Sequence, residues 1–206
     1  MLNTTTNPFN SKTHFSKIQL DDSHVIYKAQ LPDQLKMLSD DAFSALWATR
    51  PKQFHKIKMM GKTIDTPRWQ QAFAKDYRYS GNINHGIPLV EPITSLLNWC
   101  NTLCESTNGV LVNYYDGALG HYIGPHRDTT QQLIPNSLIF MISFGETRTL
   151  RLIKYPDKSV KRDVTVEHND VVIMPWNTNS HFTHQITKSK KAKEKRISVT
   201  LRSFID

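Results

Sequence analysis

Residues 196–204 read Arg-Ile-Ser-Val-Thr-Leu-Arg-Ser-Phe and end a series of short β-rich runs that decides the fold. Gly, Pro, Asn and Asp lie between the runs, as turn residues lie between strands. The earlier runs after Gly109 are VLVNYY (110–115), SLIFMISF (137–144), TLRLIKY (149–155), KRDVTVE (161–167) and DVVIMP (170–175). Many short strands with turns between them are typical of an antiparallel barrel or jelly roll. We therefore predict a mainly β fold whose jelly-roll core occupies residues 109–206.

The chain before this core has a different pattern. Residues 1–15 are polar and rich in Asn and Thr, which predicts a mobile terminus. Apolar residues between 31 and 47 suit one or two short helices with Asp33 and Asp40 as caps. Those between Pro92 and Asn108 form one helical stripe. We expect residues 16–108 to pack these helices and a few strands against the β core, within one continuous domain.

Composition and charge limit the class of protein. Cys100 and Cys104 match no zinc pattern or disulfide framework, so we expect two reduced core residues. The sequence has no apolar signal core, and no run approaches the roughly 18 apolar residues that span a bilayer. We expect a soluble, intracellular monomer without a membrane partner, in the cytoplasm or, in a eukaryote, the nucleus. The net charge of +8 favours a polyanionic partner without identifying it.

A metal site is predicted from the spacing of a histidine and a carboxylate. His126 and Asp128 are two residues apart, so on an extended strand both side chains point to one face. Either His181 or His184, in the segment SHFTHQI, could supply the third ligand. Two histidines and one carboxylate leave three positions of an octahedral ion open, as non-haem Fe(II) oxygenases require for a bidentate cosubstrate and O₂. A structural zinc site would need four protein ligands instead.

An anionic cosubstrate is predicted from the last strand. Its strict alternation of polar and apolar residues gives one core face and one cationic face. The polar face carries Arg196, Ser198, Thr200 and Arg202. The two arginines could hold the two ends of a small diacid, because a guanidinium binds carboxylates with a fork of donors. Asn113 and Tyr115 share one face of another strand and could add neutral donors.

Together these motifs resemble the AlkB family of oxidative nucleic-acid dealkylases. The resemblance rests on the following residues and motifs, in chain order: Asn113-x-Tyr115, His126-x-Asp128, SFG (143–145), EHNDVVIM (167–174), His184 and RISVTLR (196–202). The resemblance covers the chain from about Met59 onward and is nearest to the branch that repairs duplex DNA. It implies a double-stranded β-helix (jelly-roll) core with an N-terminal α/β nucleotide-recognition lid. It also implies that His184, rather than His181, is the third ligand.

The resemblance implies a chemistry and its cosubstrate contacts. An N-linked alkyl group is oxidised to a hemiaminal that expels formaldehyde, while 2-oxoglutarate and O₂ are converted to succinate and CO₂. Lesions of the 1-methyladenine and 3-methylcytosine type are the implied substrates. Asn113, Tyr115, Arg196, Thr200 and Arg202 are the implied contacts of 2-oxoglutarate. Ser198 replaces the family's usual Asn at the same site, which alters one hydrogen bond without abolishing binding.

The resemblance also assigns substrate residues in the first half of the chain. The segment MMGKTIDTPR (59–68) resembles a hairpin that probes the base stack, with Met60 as apolar wedge and Gly61 and Lys62 beside it. In YRYSG (77–81), Tyr79 would stack on a flipped base opposite His126, and Tyr77 and Arg78 would lie nearby. Thr129 stands where that branch has a second Asp, which leaves the choice between adenine and cytosine lesions open. An RNA demethylase and a non-catalytic nucleic-acid-binding relative are the alternatives.

Overall fold

The computed structural model describes residue 9 and residues 12–59, 61–79 and 81–205. Over these residues the chain forms three α-helices, α1 (Asp40–Ala48), α2 (Ile93–Leu103) and α3 (Trp176–His181), with 3₁₀ turns at Asp33–Leu35 and Thr130–Gln132. The strands are β1 (Ser16–Gln19), β2 (Val25–Gln30), β3 (Lys56–Met59), β4 (Lys62–Asp65), β5 (Trp69–Phe73), β6 (Tyr77–Tyr79), β7 (Asn82–Asn84), β8 (Gly86–Ile87), β9 (Gly109–Asp116), β10 (Ile123–His126), β11 (Leu138–Gly145), β12 (Arg148–Lys154), β13 (Lys161–Val166), β14 (Asp170–Pro175), β15 (Phe182–Ile186) and β16 (Lys195–Arg202).

Two sheets make the β core. The larger has eight strands in the order β1-β2-β14-β11-β16-β9-β5-β8, and the smaller has four in the order β10-β15-β12-β13. Neighbouring strands in both sheets are antiparallel, except that β5 and β8 are parallel. This arrangement confirms the prediction of a mainly β, jelly-roll core. Four strands of the larger sheet precede residue 109; the division of the chain at that residue stays a prediction.

The larger sheet is covered on both faces. One face packs against the helices through a cluster that includes Leu46 and Trp47 of α1 and Leu96 of α2. The other face meets the smaller sheet, where Leu152 and Phe182 are fully buried. Because β16 lies in the middle of the larger sheet, alternate residues of this strand face the helices and the space between the sheets. The polar face of β16 therefore points to the interior of the barrel.

The helices differ from the predictions in their caps. Ser39, not Asp40, caps α1, because its Oγ accepts a hydrogen bond from the Ala42 N–H at 3.2 Å, and Asp40 lies in the first turn. Asp33 likewise lies inside its 3₁₀ turn, after Pro32. Both cysteines are free, with Cys100 fully buried in α2. None of the described helices is long and apolar enough to cross a membrane.

Two residues of the predicted mobile terminus are buried. Phe9 is 8% and Phe15 is 3% exposed. The two rings pack edge to face with centroids 4.8 Å apart, and Phe9 also contacts Tyr27 of β2. Apolar rings gain free energy from burial, so these two positions pack against the fold although their neighbours are polar; the mobility of residues 1–15 stays a prediction. Residues 1–8, 10 and 11 lie outside the described part of the chain.

Two short hairpins stand apart from the main sheets. Strands β3 and β4 form one, and β6 and β7 form the other. Each turn contains a glycine in the left-handed region, Gly61 at φ 74° and Gly81 at φ 75°, where other residues are strained. The first hairpin lies where the sequence resemblance predicted one. Met60, predicted as its wedge, lies outside the described residues.

Candidate active site

Two histidines and one carboxylate meet between the sheets. His126 ends β10 and is the register partner of His184 on β15. Asp128 follows His126 by two residues. One ligand atom from each of the three lies within 4.8 Å of the others, so one ion can bind all three. His181 ends α3 instead, where it is exposed.

A hydrogen bond to its own strand orients His126. A carbonyl can only accept, so Nδ1–H of His126 donates to the Gly124 carbonyl at 3.0 Å. This leaves Nε2 to bind a metal, and that atom lies 4.0 Å from Oδ1 of Asp128. Nδ1 of His184 is buried without a hydrogen-bond partner among the described residues. Two imidazoles and one carboxylate with open positions beside them fit Fe(II).

Asp128 is fixed as a buried carboxylate, only 4% exposed. Its Oδ2 accepts a hydrogen bond from Nε of Arg202 at 2.8 Å. Its backbone N–H donates to Oδ1 of Asn179 at 3.0 Å, and Nδ2 of Asn179 donates back to the Asp128 carbonyl at 3.1 Å. Burial alone would raise the pKa of Asp128, but the charge and hydrogen bond of Arg202, together with the electrostatic effect of the two histidines, outweigh burial and hold the pKa well below its usual range. The side chain is therefore ionised, as a metal ligand must be.

Both ligand histidines are neutral in the folded chain. Burial lowers the pKa of His184 to about 3, and the neighbouring His126 adds to the effect. Burial likewise lowers the pKa of His126. A neutral imidazole is the form that binds a metal. At neutral pH, neither histidine needs to lose a proton before an ion binds.

A cavity of about 450 Å³ extends from this cluster between the sheets. Its wall includes all six residues that the sequence predicted for the cosubstrate: Asn113, Tyr115, Arg196, Ser198, Thr200 and Arg202. They come from the neighbouring strands β9 and β16, where Ser198 lies opposite Asn113 and Arg196 lies opposite Tyr115. The alternation of residues along these two strands thus correctly predicted that the six side chains share one cavity. Their individual contacts with 2-oxoglutarate stay a prediction.

Arg196 lies at the end of the cavity away from the histidines. Its Nη2 donates to Oγ of Ser143 at 2.9 Å, and its guanidinium carbon lies 5.1 Å from the centroid of the Tyr115 ring. Its Nε and Nη1 are buried without partners among the described residues. Burial lowers the pKa of Arg196 to about 10, so the side chain is still charged at neutral pH. These unpaired donors suit the distal carboxylate of a bound diacid.

Asn113 accepts two hydrogen bonds from residues that the sequence reasoning missed. Nε of Arg68 donates to its Oδ1 at 2.8 Å, and Nε2 of Gln70 donates to the same oxygen at 2.9 Å. With the amide oxygen occupied, Nδ2 of Asn113 is left as a donor. Both partners are buried and line the cavity. Gln70 lies on a buried face of β5 opposite Asn113. The sequences of β5 and β9, taken separately, do not reveal that these two residues are paired.

The predicted substrate residues fall into two groups. Tyr77, Tyr79 and Thr129 line the cavity, and Tyr77 Oη lies 3.5 Å from Oδ1 of Asp128. Gly61, Lys62 and Arg78 are exposed and lie outside the cavity wall. Arg78 instead approaches Asp76 at 3.9 Å. The roles of all these residues remain predictions.

Comparison with known proteins agrees with this geometry. Residues 25–202 match the 2OG-Fe(II) oxygenase superfamily. The chain is 29% identical over 164 residues to the DNA oxidative demethylase ALKBH2 of Mus musculus, a match that covers 73% of this chain and 67% of the relative. For the Homo sapiens protein of the same name the identity is again 29%, over 73% of this chain and 61% of the relative.

A more distant likeness concerns the fold alone. The solved structure of OsALKBH1 superposes with a TM-score of 0.56 at 14% identity, over 85% of this chain and 97% of the other. The aligned part of this chain spans about three fifths of the human relative. The family match fits the Fe(II) ligand set and the cationic pocket that a diacid cosubstrate requires. The chain belongs to the 2OG-Fe(II) oxygenase superfamily, within which it is a dioxygenase of the AlkB family.

Proposed function

We propose that this dioxygenase removes alkyl groups from the nitrogens of DNA bases, with 1-methyladenine and 3-methylcytosine as the expected lesions. The observation that supports this most directly is the position of Tyr77 and Tyr79. Both rings line the same cavity as the His126, Asp128 and His184 cluster, which gives a flat aromatic wall beside the metal ligands. The relatives named DNA oxidative demethylase point to the same substrate class.

The two tyrosines are built to contact a base. Their ring centroids are 5.3 Å apart. Burial raises the pKa of Tyr77 above its usual range, and burial raises the pKa of Tyr79 to about 12, so both phenols stay protonated. The hydroxyl of Tyr79 donates to Oε1 of Gln70, which fixes the ring. In this proposal Tyr79 stacks on the extruded base opposite His126, while Tyr77 donates a hydrogen bond close to the reacting centre.

Iron and 2-oxoglutarate, when bound, supply the oxidation that converts the N-alkyl carbon to the hydroxyl level. The chain's own residues position the partners. His126, Asp128 and His184 would hold the ion, and Arg202 keeps the carboxylate of Asp128 ionised. Arg196 would receive the distal carboxylate of the cosubstrate, next to the ring of Tyr115. Asp128, Arg196 and Arg202 are almost completely buried, and burial strengthens the charged contacts that they make.

The hairpin of β3 and β4 and the hairpin of β6 and β7 form the proposed nucleotide-recognition lid. Met60, which precedes Gly61 in the sequence, would insert its apolar side chain into a duplex to open it. Thr129 lines the cavity and would contact the base. Lysines of the 188–195 stretch would meet phosphates, because phosphate contacts position a nucleic acid without reading its sequence. The protein would act as a monomer.

The decisive experiment is mass spectrometry of methylated oligonucleotides incubated with protein, Fe(II), 2-oxoglutarate and ascorbate. We expect loss of the methyl group from duplex and single-stranded DNA, and none with His126→Ala. Removal from RNA but not from DNA would replace this proposal with an RNA demethylase. Loss of methyl from neither substrate, despite conversion of 2-oxoglutarate to succinate, would refute nucleic-acid dealkylation.

A pair of lid variants tests how the base is held. Tyr79→Ala should lower demethylation by about 10- to 100-fold, the expected loss of one base–aromatic stack. Tyr79→Phe keeps the ring and should retain most of the activity. Substrate-independent conversion of 2-oxoglutarate should be the same in both variants. Equal losses for Ala and Phe would contradict a stacking role.

A further inference from the structure

Arg148 is a buried arginine close enough to Arg196 to act on it electrostatically. It begins β12, and its side chain shares the buried face of that strand with Leu150 and Leu152. Leu150 lines the cosubstrate cavity, whereas Arg148 is outside the lining. The side chain is only 4% exposed. An arginine in such a place is unusual, because burying a guanidinium has a large desolvation cost.

The hydrogen bonds of Arg148 satisfy only part of its guanidinium. Nη2 donates to the carbonyl of His121 at 3.0 Å and to the carbonyl of Thr187 at 2.7 Å. Nε and Nη1 are buried without partners among the described residues, as are Nε and Nη1 of Arg196. The two guanidinium groups therefore have four buried nitrogens without acceptors among the described residues, two on Arg196 in the cavity wall and two on Arg148 behind it.

One acidic residue offsets only part of the charge of this pair. Within the described part of the chain neither Arg148 nor Arg196 forms an ion pair, in contrast to Arg202 with Asp128. Glu146 is near enough to act on Arg148 electrostatically. Its Oε1 accepts a hydrogen bond from the Lys193 backbone N–H at 2.7 Å, and its Oε2 is buried without a partner among the described residues. The two arginines act on each other as like charges, so two guanidiniums beside one carboxylate keep a net positive charge.

We infer that Arg148 is a positioning residue that acts beside Arg196 to make the pocket selective for a 2-oxo acid with a second, distal carboxylate. Arg196 would contact that carboxylate, and Arg148 would add positive potential behind it. A cosubstrate with a single carboxylate would bind the metal end and place an uncharged carbon near the two guanidiniums. The charge of Arg148 would then contribute nothing to its binding.

A purely structural role would also explain the two carbonyl contacts. Those contacts connect two segments of the chain. One contains His121 and follows β9, and the other contains Thr187 and follows β15. Loss of this connection would weaken the binding of any 2-oxo acid alike, whether or not it has a distal carboxylate. The ratio of the affinities for a diacid and a monoacid therefore separates the two roles.

The test is calorimetric binding of 2-oxoglutarate and of 2-oxopentanoate to the full chain, with Mn(II) in place of Fe(II). Arg148→Gln is the neutral variant, and its amide can still donate to one of the two carbonyls. Arg148→Lys keeps the positive charge. Arg151→Gln is the matched control, since Arg151 lies on the same strand but pairs outside the cavity with Asp163. Thermal unfolding without ligand reports the stability of each variant.

We expect Arg148→Gln to weaken 2-oxoglutarate binding by about tenfold and 2-oxopentanoate binding by less than about twofold, as loss of one nearby charge predicts. Arg148→Lys and Arg151→Gln should keep the wild-type ratio. Equal effects of Arg148→Gln on both acids, or no effect on either, would overturn the proposal. If the Gln variant does not fold, a Lys variant that loses the preference for the diacid would overturn it equally.

Discussion

Arg196 and Arg202 lie six residues apart on the same face of β16, but only Arg202 has an acidic partner among the described residues. Both are almost completely buried, at 2% and 3% exposed. Arg202 donates to Asp128 at 2.8 Å, and its guanidinium carbon lies 4.9 Å from the centroid of the Tyr77 ring. Burial lowers the pKa of Arg196 to about 10. Burial lowers the pKa of Arg202 as well, but the charge and hydrogen bond of Asp128, together with Tyr77, outweigh burial and raise the pKa of Arg202.

The difference shows that the two ends of the cavity have different roles. At the metal end, the positive charge has a partner within the chain, so this end is organised before any ligand binds. At the other end, the positive charge of Arg196 has only a hydroxyl and an aromatic ring, and part of its hydrogen-bonding capacity is unused. A buried charge without an opposite charge is costly. A diacid that binds between the two ends would remove that cost at the Arg196 end only.

Breaking the metal end should have the largest effect. Asp128→Asn should abolish turnover, because it removes a metal ligand. It should also destabilise the metal-free protein by roughly 3–5 kcal/mol, because Arg202 would be left as an uncompensated buried charge. Succinate release and urea unfolding of the metal-free protein measure the two effects.

Asp163→Asn is the control for that substitution. Asp163 forms an exposed bidentate pair with Arg151 at 2.7 Å. Its removal should change the free energy of unfolding by less than about 1 kcal/mol and leave turnover intact. Similar losses of stability in both variants would mean that burial does not distinguish the two ion pairs.

Replacing each arginine by methionine tests the comparison directly. Arg202→Met should destabilise the metal-free protein by about 3 kcal/mol, because Asp128 loses its counter-charge. Arg196→Met should change that stability by less than about 1 kcal/mol, because it removes an unpaired charge from the interior. The same Arg196 variant should bind 2-oxoglutarate about 100-fold more weakly, as loss of a charge-assisted contact predicts. Stability losses of equal size in the two variants would contradict the asymmetry.

The pH dependence of stability should also originate at the metal end. His184 has a pKa of about 3 in the folded chain, whereas an unfolded histidine has one near 6.5. Between these values the unfolded chain binds a proton that the folded chain does not, so stability decreases as the pH falls from about 6.5 toward 3. For one histidine, the free energy of unfolding decreases by about 2 kcal/mol between pH 7 and pH 5. Arg196 contributes nothing there, because it stays charged below its pKa of about 10.

Urea unfolding of the metal-free protein at pH 7 and pH 5 measures this term. His184→Gln should reduce the difference between the two pH values by the stated amount. His181→Gln, an exposed histidine three residues earlier, serves as the matched control and should leave the difference as it is. If the stability difference between pH 7 and pH 5 is the same in His184→Gln as in the wild type, the loss of stability arises elsewhere.

The sequence predicted the faces of the strands better than their partners. Period two along β16 correctly placed Arg196 and Arg202 on one interior face. His126 and Asp128 do lie together, but β10 ends at His126 and Asp128 lies beyond the strand, so they do not share a strand face, contrary to the prediction from their spacing. The choice of His184 over His181 needed the family resemblance, because SHFTHQI does not reveal that α3 ends at His181.

What the sequence could not predict arises from distant pairings. Arg68 and Gln70 reach Asn113 from more than forty positions away in the chain, and no local pattern encodes such a contact. Ser143 lay in a recognised SFG motif, yet its bond to Arg196 depends on the register of β11 against β16. The burial of Phe9 and Phe15 was missed because polar neighbours dominate the composition of that stretch.

The smallest expected effect concerns the hydroxyl of Ser143, which accepts a hydrogen bond from Nη2 of Arg196. Ser143→Ala should lower the free energy of unfolding by about 1 kcal/mol, because one more buried donor of Arg196 loses its acceptor. The KM for 2-oxoglutarate should rise by about threefold with little change in kcat, because the guanidinium is held less firmly before the cosubstrate binds. Ser159→Ala, at an exposed position, should change neither quantity. If Ser143→Ala lowers kcat and leaves KM unchanged, Arg196 does not depend on Ser143 for its position, and the Arg196 end is organised as firmly as the metal end.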